Sequence, residues 1–520
     1  RSKRGLPISC YLNYIDDTAE GLVNNLSETN WLSMYGGGVG IGFGIRSADD
    51  KSTGMMPHLK MYDASSLAYR QGRTRRGSYA AYLDIDHPDI ILFLEMRKPT
   101  GDQNFRCLNL HHGINISNKF MQLIEDCMTD PNVDDSWHLR EPHTKEIKET
   151  VSARDMWQRI LEMRMQTGEP YLHFIDTSNE KMPVWLKQLG LEINQSNLCS
   201  EIILPTNKER TAVCCLSSLN LEYFDEWSKD KGFLKDVLEM LDNTLSKFIE
   251  DAPDSISRAK YSAMRERSVG VGALGFHAYL QKKGMPFESA LAKSSNMKMF
   301  RHIRSGLDSA NLELGRERGE APDAKGTGLR CSHVMAIAPN ASSSIIMGNT
   351  SPSIEPWRAN AYRQDTLSGS FLNKNKFLDK LIKDKCEGNV NLHYDRIWSS
   401  IIANDGSVQH LRCLDDQEKE IYKTSMEIDQ RWVIEHAADR QEYIDQSQSL
   451  NVFFRPDANI TYLHAVHFMA WKKGVKTMYY CRSEKIGKAD KVSRKIEREI
   501  IQEIDMEALA SGEECLACEG

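Results

Sequence analysis

The sequence predicts an α/β protein in which strands and helices alternate around a largely parallel sheet or barrel. Two observations carry this. Apolar runs of strand length recur along the chain as GVGIGFG, SYAAYLDID, LHHGINIS, YLHFID, CCLSSLNL, HVMAIA and VKTMYY. Amphipathic helical stretches separate them, the longest over 232–249 and 287–318, which is the alternation of strand–helix–strand units. At 520 residues and 40% hydrophobic, the chain has enough apolar mass for one large core or several smaller ones.

Taken in order, Asp17 with Glu20 reads as a capping box for a helix running to about Met34. GGGVGIGFG then feeds a short strand, where glycine lets backbone approach a ligand closely. SYAAYLDID is a strand, and Pro88 stands where a helix begins, at the first-turn position that tolerates proline. LHHGINIS reads as strand and NKFMQLIEDCM as helix. HVMAIA leads into PNASSSI, where a helix start rich in hydroxyl groups, Asn340, Ala341, Ser342 and Ser343, offers a phosphate site or a plain N-cap. The stretch 365–450 is polar and reads as a helical insertion. The last 25 residues are charged and then small, as a flexible tail would be.

Composition excludes several classes. A net charge of −7 with interspersed signs gives no basic stripe for nucleic acid. No run approaches the roughly 18 apolar residues of a membrane span. Twelve cysteines over this length point to reduced thiols and a cytoplasmic protein. The glycine run fits neither a dinucleotide fingerprint nor a P-loop.

Some of those cysteines stand in informative settings. Asn197 and Glu201 flank Cys199 at i−2 and i+2; in an extended segment all three share one face, and an edge strand with polar neighbours explains the same spacing. Cys10 opens a strand, Cys214 and Cys215 open another, and Cys515 and Cys518 stand at the chain end. A lone C-x-x-C lacks the second pair a zinc site needs, so no metal is expected.

Together SNLCSEI, CCLSSLNL, PNASSS…GNTSPSIEP, VKTMYY and the terminal CLACEG resemble, in order and spacing, the large catalytic subunit of class I ribonucleotide reductase, from Cys10 to Gly520. The resemblance implies a ten-stranded α/β barrel over 1–495, incomplete at its N-terminus, and a C-terminal helix and redox tail over 496–520. It implies that Cys199 becomes the thiyl radical that takes the ribose 3′ hydrogen, with Glu201 as base and Asn197 on the 2′ hydroxyl. Cys10 and Cys214 supply the reducing equivalents; Cys515 and Cys518 renew them by exchange. Tyr479 and Tyr480 pass the radical inward. Ser9, Gly37, Gly38 and the residues 340–343 line the substrate pocket. Asp17 and Arg76 bind a deoxynucleoside triphosphate effector, with Gln103 and Arg106 relaying it, although a solvated basic turn accounts equally for Arg73 to Arg76.

The implied partners are a small radical-generating subunit carrying the metal cofactor, a second large subunit, ribonucleoside diphosphates, and thioredoxin or glutaredoxin; no tightly bound cofactor is expected in this chain. The family's N-terminal helical region, often an ATP-binding cone, precedes Cys10 and is not in these residues, so the chain reads as a C-terminal portion: a truncated sequence, a domain left by processing, or one half of a split gene product whose partner is a separate N-terminal fragment. A cobalamin-dependent reductase and a non-catalytic assembly fragment are the competing readings.

Overall fold

The computed structural model describes residues 5–69, 77–366 and 369–483. Arg76, Cys515, Cys518 and the expected tail lie outside the described residues. Eight strands form the main sheet: β1 (Cys10–Ile15), β2 (Gly38–Phe43), β3 (Tyr79–Asp84), β4 (His111–Ile116), β5 (Tyr171–Phe174), β6 (Ala212–Asn220), β7 (Val269–Leu274) and β8 (Thr477–Met478). Their order is β7-β6-β1-β2-β3-β4-β5-β8. β1 to β5 are mutually parallel, β6 and β7 are parallel to each other, and β6 and β8 run antiparallel to the block between them. Strands such as β7 are buried at every position, as expected where helices cover one face and a filled interior the other.

The two open edges are joined by irregular backbone. Val269 and Val271 of β7 donate to the carbonyls of His333 and Val334. A two-residue step on one side meets a one-residue step on the other, so HVMAIA makes no regular ladder with β7, contrary to its reading as a strand. Ile337 in turn donates to Ser447 and receives from Ser449, and Tyr479 next to β8 donates to Leu450. Eight strands and these two segments thus close the wall of the expected α/β barrel.

Helices cover the outside. Ala19–Met34 is capped by the Thr18 hydroxyl, which accepts from Gly21 N at 3.0 Å, and not by Asp17, whose carboxylate is taken by Arg46 and His143. The helix after Pro88 starts at Ile90, with Asp89 as its cap, so the proline lies one residue outside the helix. Ala290–Arg318 and Phe233–Asp251 pack on the β6–β7 side and share one core with the barrel.

The polar stretch is not wholly helical. It opens with a hairpin, Ala361–Thr366 and Gly369–Lys374, followed by the helices Lys376–Glu387, Tyr394–Ala403 and Asp416–Ile421. A separate core including Leu378, Trp398, Ile401 and Tyr422 holds this unit together. The next helix, Gln430–Gln441, returns to the main core through Val433, Ile434 and Ala437. Among the described residues no helix is long and apolar enough to cross a membrane.

Candidate active site

The segment carrying Asn197, Cys199 and Glu201 is a tight turn inside the barrel, not the extended strand the spacing suggested. Ser200 N donates to the Asn197 carbonyl at 3.3 Å, and Ile202 N donates to Asn197 Oδ1 at 3.0 Å. Ser200 takes φ +66°, a left-handed conformation that no strand contains. The turn nevertheless pairs two of the three, because Asn197 Nδ2 donates to Glu201 Oε2 at 2.9 Å.

The wall pins this turn from several sides. Tyr82 Oη of β3 donates to the Asn197 carbonyl at 2.7 Å, Thr477 Oγ1 of β8 to the Ser200 carbonyl at 2.6 Å, and Ser449 Oγ to the Cys199 carbonyl at 2.5 Å. The glycines of β2 make room for it. A Cβ on Gly40 would lie 2.1 Å from the Ser196 carbonyl oxygen, so the close approach expected of this run is made by the chain's own turn. At Gly37 and Gly38 the missing Cβ faces the Tyr11 ring and Leu198.

Burial sets the electrostatics. Glu201 is 1% exposed, and loss of water pushes its carboxyl up to about 7, against the opposing hydrogen bond from Asn197. A carboxyl poised there can take a proton near neutral pH.

Cys10 and Cys214 face each other directly across the antiparallel β1–β6 pair. Such partners have Cα atoms about 4.5–5.5 Å apart, within the span a disulfide bridges. Cys215 points to the opposite face, into the main core, as strand alternation requires. Ser9 Oγ sits 3.9 Å from Cys10 Sγ, and the Ser9 carbonyl accepts from Gly38 N.

The tyrosines follow β8. Tyr479 Oη lies 3.7 Å from Cys199 Sγ, and the Tyr479 and Tyr480 rings are 4.3 Å apart. Burial raises Tyr479 well above the ordinary phenol value and Tyr480 to about 12, so both keep their protons. A third ring, Tyr171 of β5, packs at 4.7 Å from Tyr479 and 5.1 Å from Tyr480. Sequence reading missed it, because nothing in YLHFID distinguishes this tyrosine from an ordinary strand residue. His111, paired with the buried Glu169, stands 3.4 Å from Tyr480 Oη, and Arg482 covers the Tyr480 ring at 4.1 Å.

Asn340 opens the short helix Ala341–Ile346 with φ +55°. Its amide accepts from Ser218 of β6 and donates to the Ala273 carbonyl of β7, which fixes the exposed Ala341, Ser342 and Ser343 at the end of the barrel where Cys10 starts β1. Asp17 follows β1, whereas the Gln103–Phe105 turn and Arg106 precede β4. With β1 to β4 parallel, these two effector candidates lie at opposite ends of the wall. Arg106 Nε donates to the Thr100 carbonyl at 2.7 Å, folding its own loop.

The profile of the ribonucleotide reductase barrel domain matches residues 8–327 and 321–481. The chain belongs to the ribonucleotide reductase family. It is 50% identical to the ribonucleoside-diphosphate reductase large subunit of Invertebrate iridescent virus 3, over 95% of this chain and 85% of that protein. The putative large subunit of Frog virus 3 is 46% identical, over 99% of this chain and 88% of that protein. Among solved structures, the class Id ribonucleotide reductase alpha subunit of Actinobacillus ureae superposes with a TM-score of 0.82 at 35% identity, covering 94% of this chain and 86% of that one. The ribonucleotide reductase family thus accounts for the barrel, and its α/β wall encloses the turn, the facing cysteines and the tyrosine pair.

Proposed function

We propose that the chain is the catalytic subunit of a class I ribonucleoside-diphosphate reductase, which converts ribonucleotides to 2′-deoxyribonucleotides by radical chemistry at Cys199. The observation that carries the reading is the line of redox side chains from Tyr480 through Tyr479 to Cys199, with a 3.7 Å final step. An oxidising equivalent arriving at Tyr480 from a small subunit would pass to Tyr479, whose phenoxyl oxygen then takes the hydrogen of the Cys199 thiol. A metal cofactor in the small subunit would supply that equivalent; this chain's residues would only conduct it.

The thiyl radical removes the 3′ hydrogen, Glu201 takes the 3′ hydroxyl proton, and Asn197 orients the 2′ hydroxyl. That hydroxyl leaves as water with a proton from the facing thiols. Cys10 and Cys214 give two electrons and become a disulfide, their second hydrogen goes to C2′, Glu201 returns its proton to the 3′ oxygen, and the 3′ hydrogen returns from Cys199. Ser9, Gly37, Gly38 and residues 340–343 would hold the substrate at the same end of the barrel. Similarity to a class Id alpha subunit favours this over the cobalamin-dependent reading.

An external dithiol protein, thioredoxin or glutaredoxin, would renew the site through Cys515 and Cys518. Gln103 and Arg106 remain the candidates for relaying a deoxynucleotide effector, with Arg76 outside the described residues; Asp17, at the opposite end of the wall and bonded to Arg46 and His143, does not share one site with them within a chain. Pairing of two large subunits is supported by the exposed Val23, Trp31 and Met34 on one helix. A cytoplasmic setting keeps the thiols reduced.

The test is a reductase assay with the small subunit and, where required, an N-terminal fragment. Parent protein should turn over many times with the protein reductant. Cys515→Ser/Cys518→Ser should stop after about one turnover per site and recover slow multiple turnover with dithiothreitol, because exchange from the tail is lost while the site chemistry stays. Loss of the first turnover as well would contradict the shuttle.

A further inference from the structure

We infer that Gln446 sets the direction of thiol–disulfide exchange at the Cys10–Cys214 pair: the incoming thiolate attacks Cys10, and Gln446 holds the Cys214 sulfur as the leaving group. This rests on the proposed role of the two cysteines as the reducing dithiol.

The amide is placed for this and for little else. Gln446 is completely buried, and its Nε2 donates to Cys214 Sγ at 3.4 Å and to the Val269 carbonyl at 3.1 Å. The Val269 contact fixes which way the amide faces, since a flipped group would set two carbonyl oxygens against each other. Both N–H groups are thereby committed, one to backbone and one to sulfur. Gln446 Oε1 is buried without a hydrogen-bond partner, a cost accepted while the sulfur keeps its donor. The backbone is anchored as well: Gln446 N donates to the Met335 carbonyl, and Lys476 Nζ donates to the Gln446 carbonyl at 2.9 Å.

The two sulfurs differ in access. Cys214 is 1% exposed, while Cys10 is only partly buried at the start of β1. A nucleophile must approach along the S–S axis, so Cys10 is the more accessible of the two sulfurs, and the donor on Cys214 adds to that bias. Attack there forms a new S–S bond to Cys10, breaks the Cys10–Cys214 bond and leaves the electron pair on Cys214 as a thiolate. Exchange is faster when the departing thiolate is stabilised. Burial pushes the Cys214 thiol well above its ordinary value, and the Gln446 N–H works against that. A second thiolate of the dithiol then attacks its own half of the mixed disulfide and releases Cys10. The dithiol ends as a disulfide, and its two protons end on Cys10 and Cys214.

The test uses the full chain, oxidised by turnover without reductant, its other accessible thiols blocked by alkylation. A small monothiol, 2-mercaptoethanol, is added, the reaction is quenched in acid, and peptides are mapped by mass spectrometry. The adduct is expected on Cys10, with Cys214 as the new thiol. In Gln446→Met, which keeps length but removes the donor, the first exchange should slow about tenfold or more, as expected for a hydrogen bond to a charged sulfur, and adducts should spread to both cysteines. An adduct on Cys214 in the parent protein, or an unchanged rate and site in Gln446→Met, overturns the inference. Should the variant fail to fold, the adduct site in the parent decides alone. If no Cys10–Cys214 disulfide forms at all, the dithiol reading itself fails and the inference falls with it.

Discussion

Cys199→Ser is expected to abolish deoxynucleotide formation, to below roughly a ten-thousandth of the parent rate, while the protein folds and binds substrate normally. The size of the effect follows from chemistry: an oxygen in place of sulfur cannot be oxidised by a tyrosyl radical, and no other group in the turn can take a hydrogen from carbon, so the whole contribution of the radical step is lost. Folding should be spared. The turn is held by its backbone, through Tyr82, Ser449 and Thr477, and by Asn197, none of which bonds through the Cys199 side chain. Activity is read as product formation with the small subunit present, and folding as thermal melting; retained turnover would refute the role of Cys199.

Tyr480→Phe should be inactive to a similar degree, although its substrate and small-subunit affinities stay those of the parent. Phenylalanine keeps the ring packing, tilted against Tyr479 and edge-on to Tyr171, but has no O–H to lose, so the line of transfer is cut while its packing remains. Binding by titration and product formation in the same preparation separate the two effects. Activity near that of the parent would mean that radical generation bypasses Tyr480, as in a cobalamin-dependent enzyme.

How much of this was legible in the sequence differs from element to element. Strands with a clean apolar run, β3, β4 and β6, and the long helices could be read because periodicity alone specifies them. The closure of the barrel could not. HVMAIA stood out as an apolar run, but its irregular pairing and the whole 446–450 segment did not, because both hold their places through isolated hydrogen bonds to neighbours far along the chain. Gln446 was hidden for the same reason, inside the polar stretch that reads as a helical insertion. Cys199 and its flanking residues were found by spacing and resemblance, yet their geometry was misread, since a left-handed Ser200 carries no compositional signal. Cys10 and Cys214 were linked only through resemblance, and their register in the sheet supplies the physical reason. Tyr171 had no motif to announce it.

The most direct test of the central claim follows the 3′ hydrogen itself. Ribonucleoside diphosphate carrying tritium at C3′ is incubated with the chain, the small subunit and reductant, and tritium is sought in water and in the deoxynucleotide. The account predicts that most of the label returns to the product and a small fraction exchanges into water through the Cys199 thiol, and that both product and exchange vanish in Cys199→Ser. Deoxynucleotide formed with the label wholly undisturbed, or exchange that persists in Cys199→Ser, would contradict it.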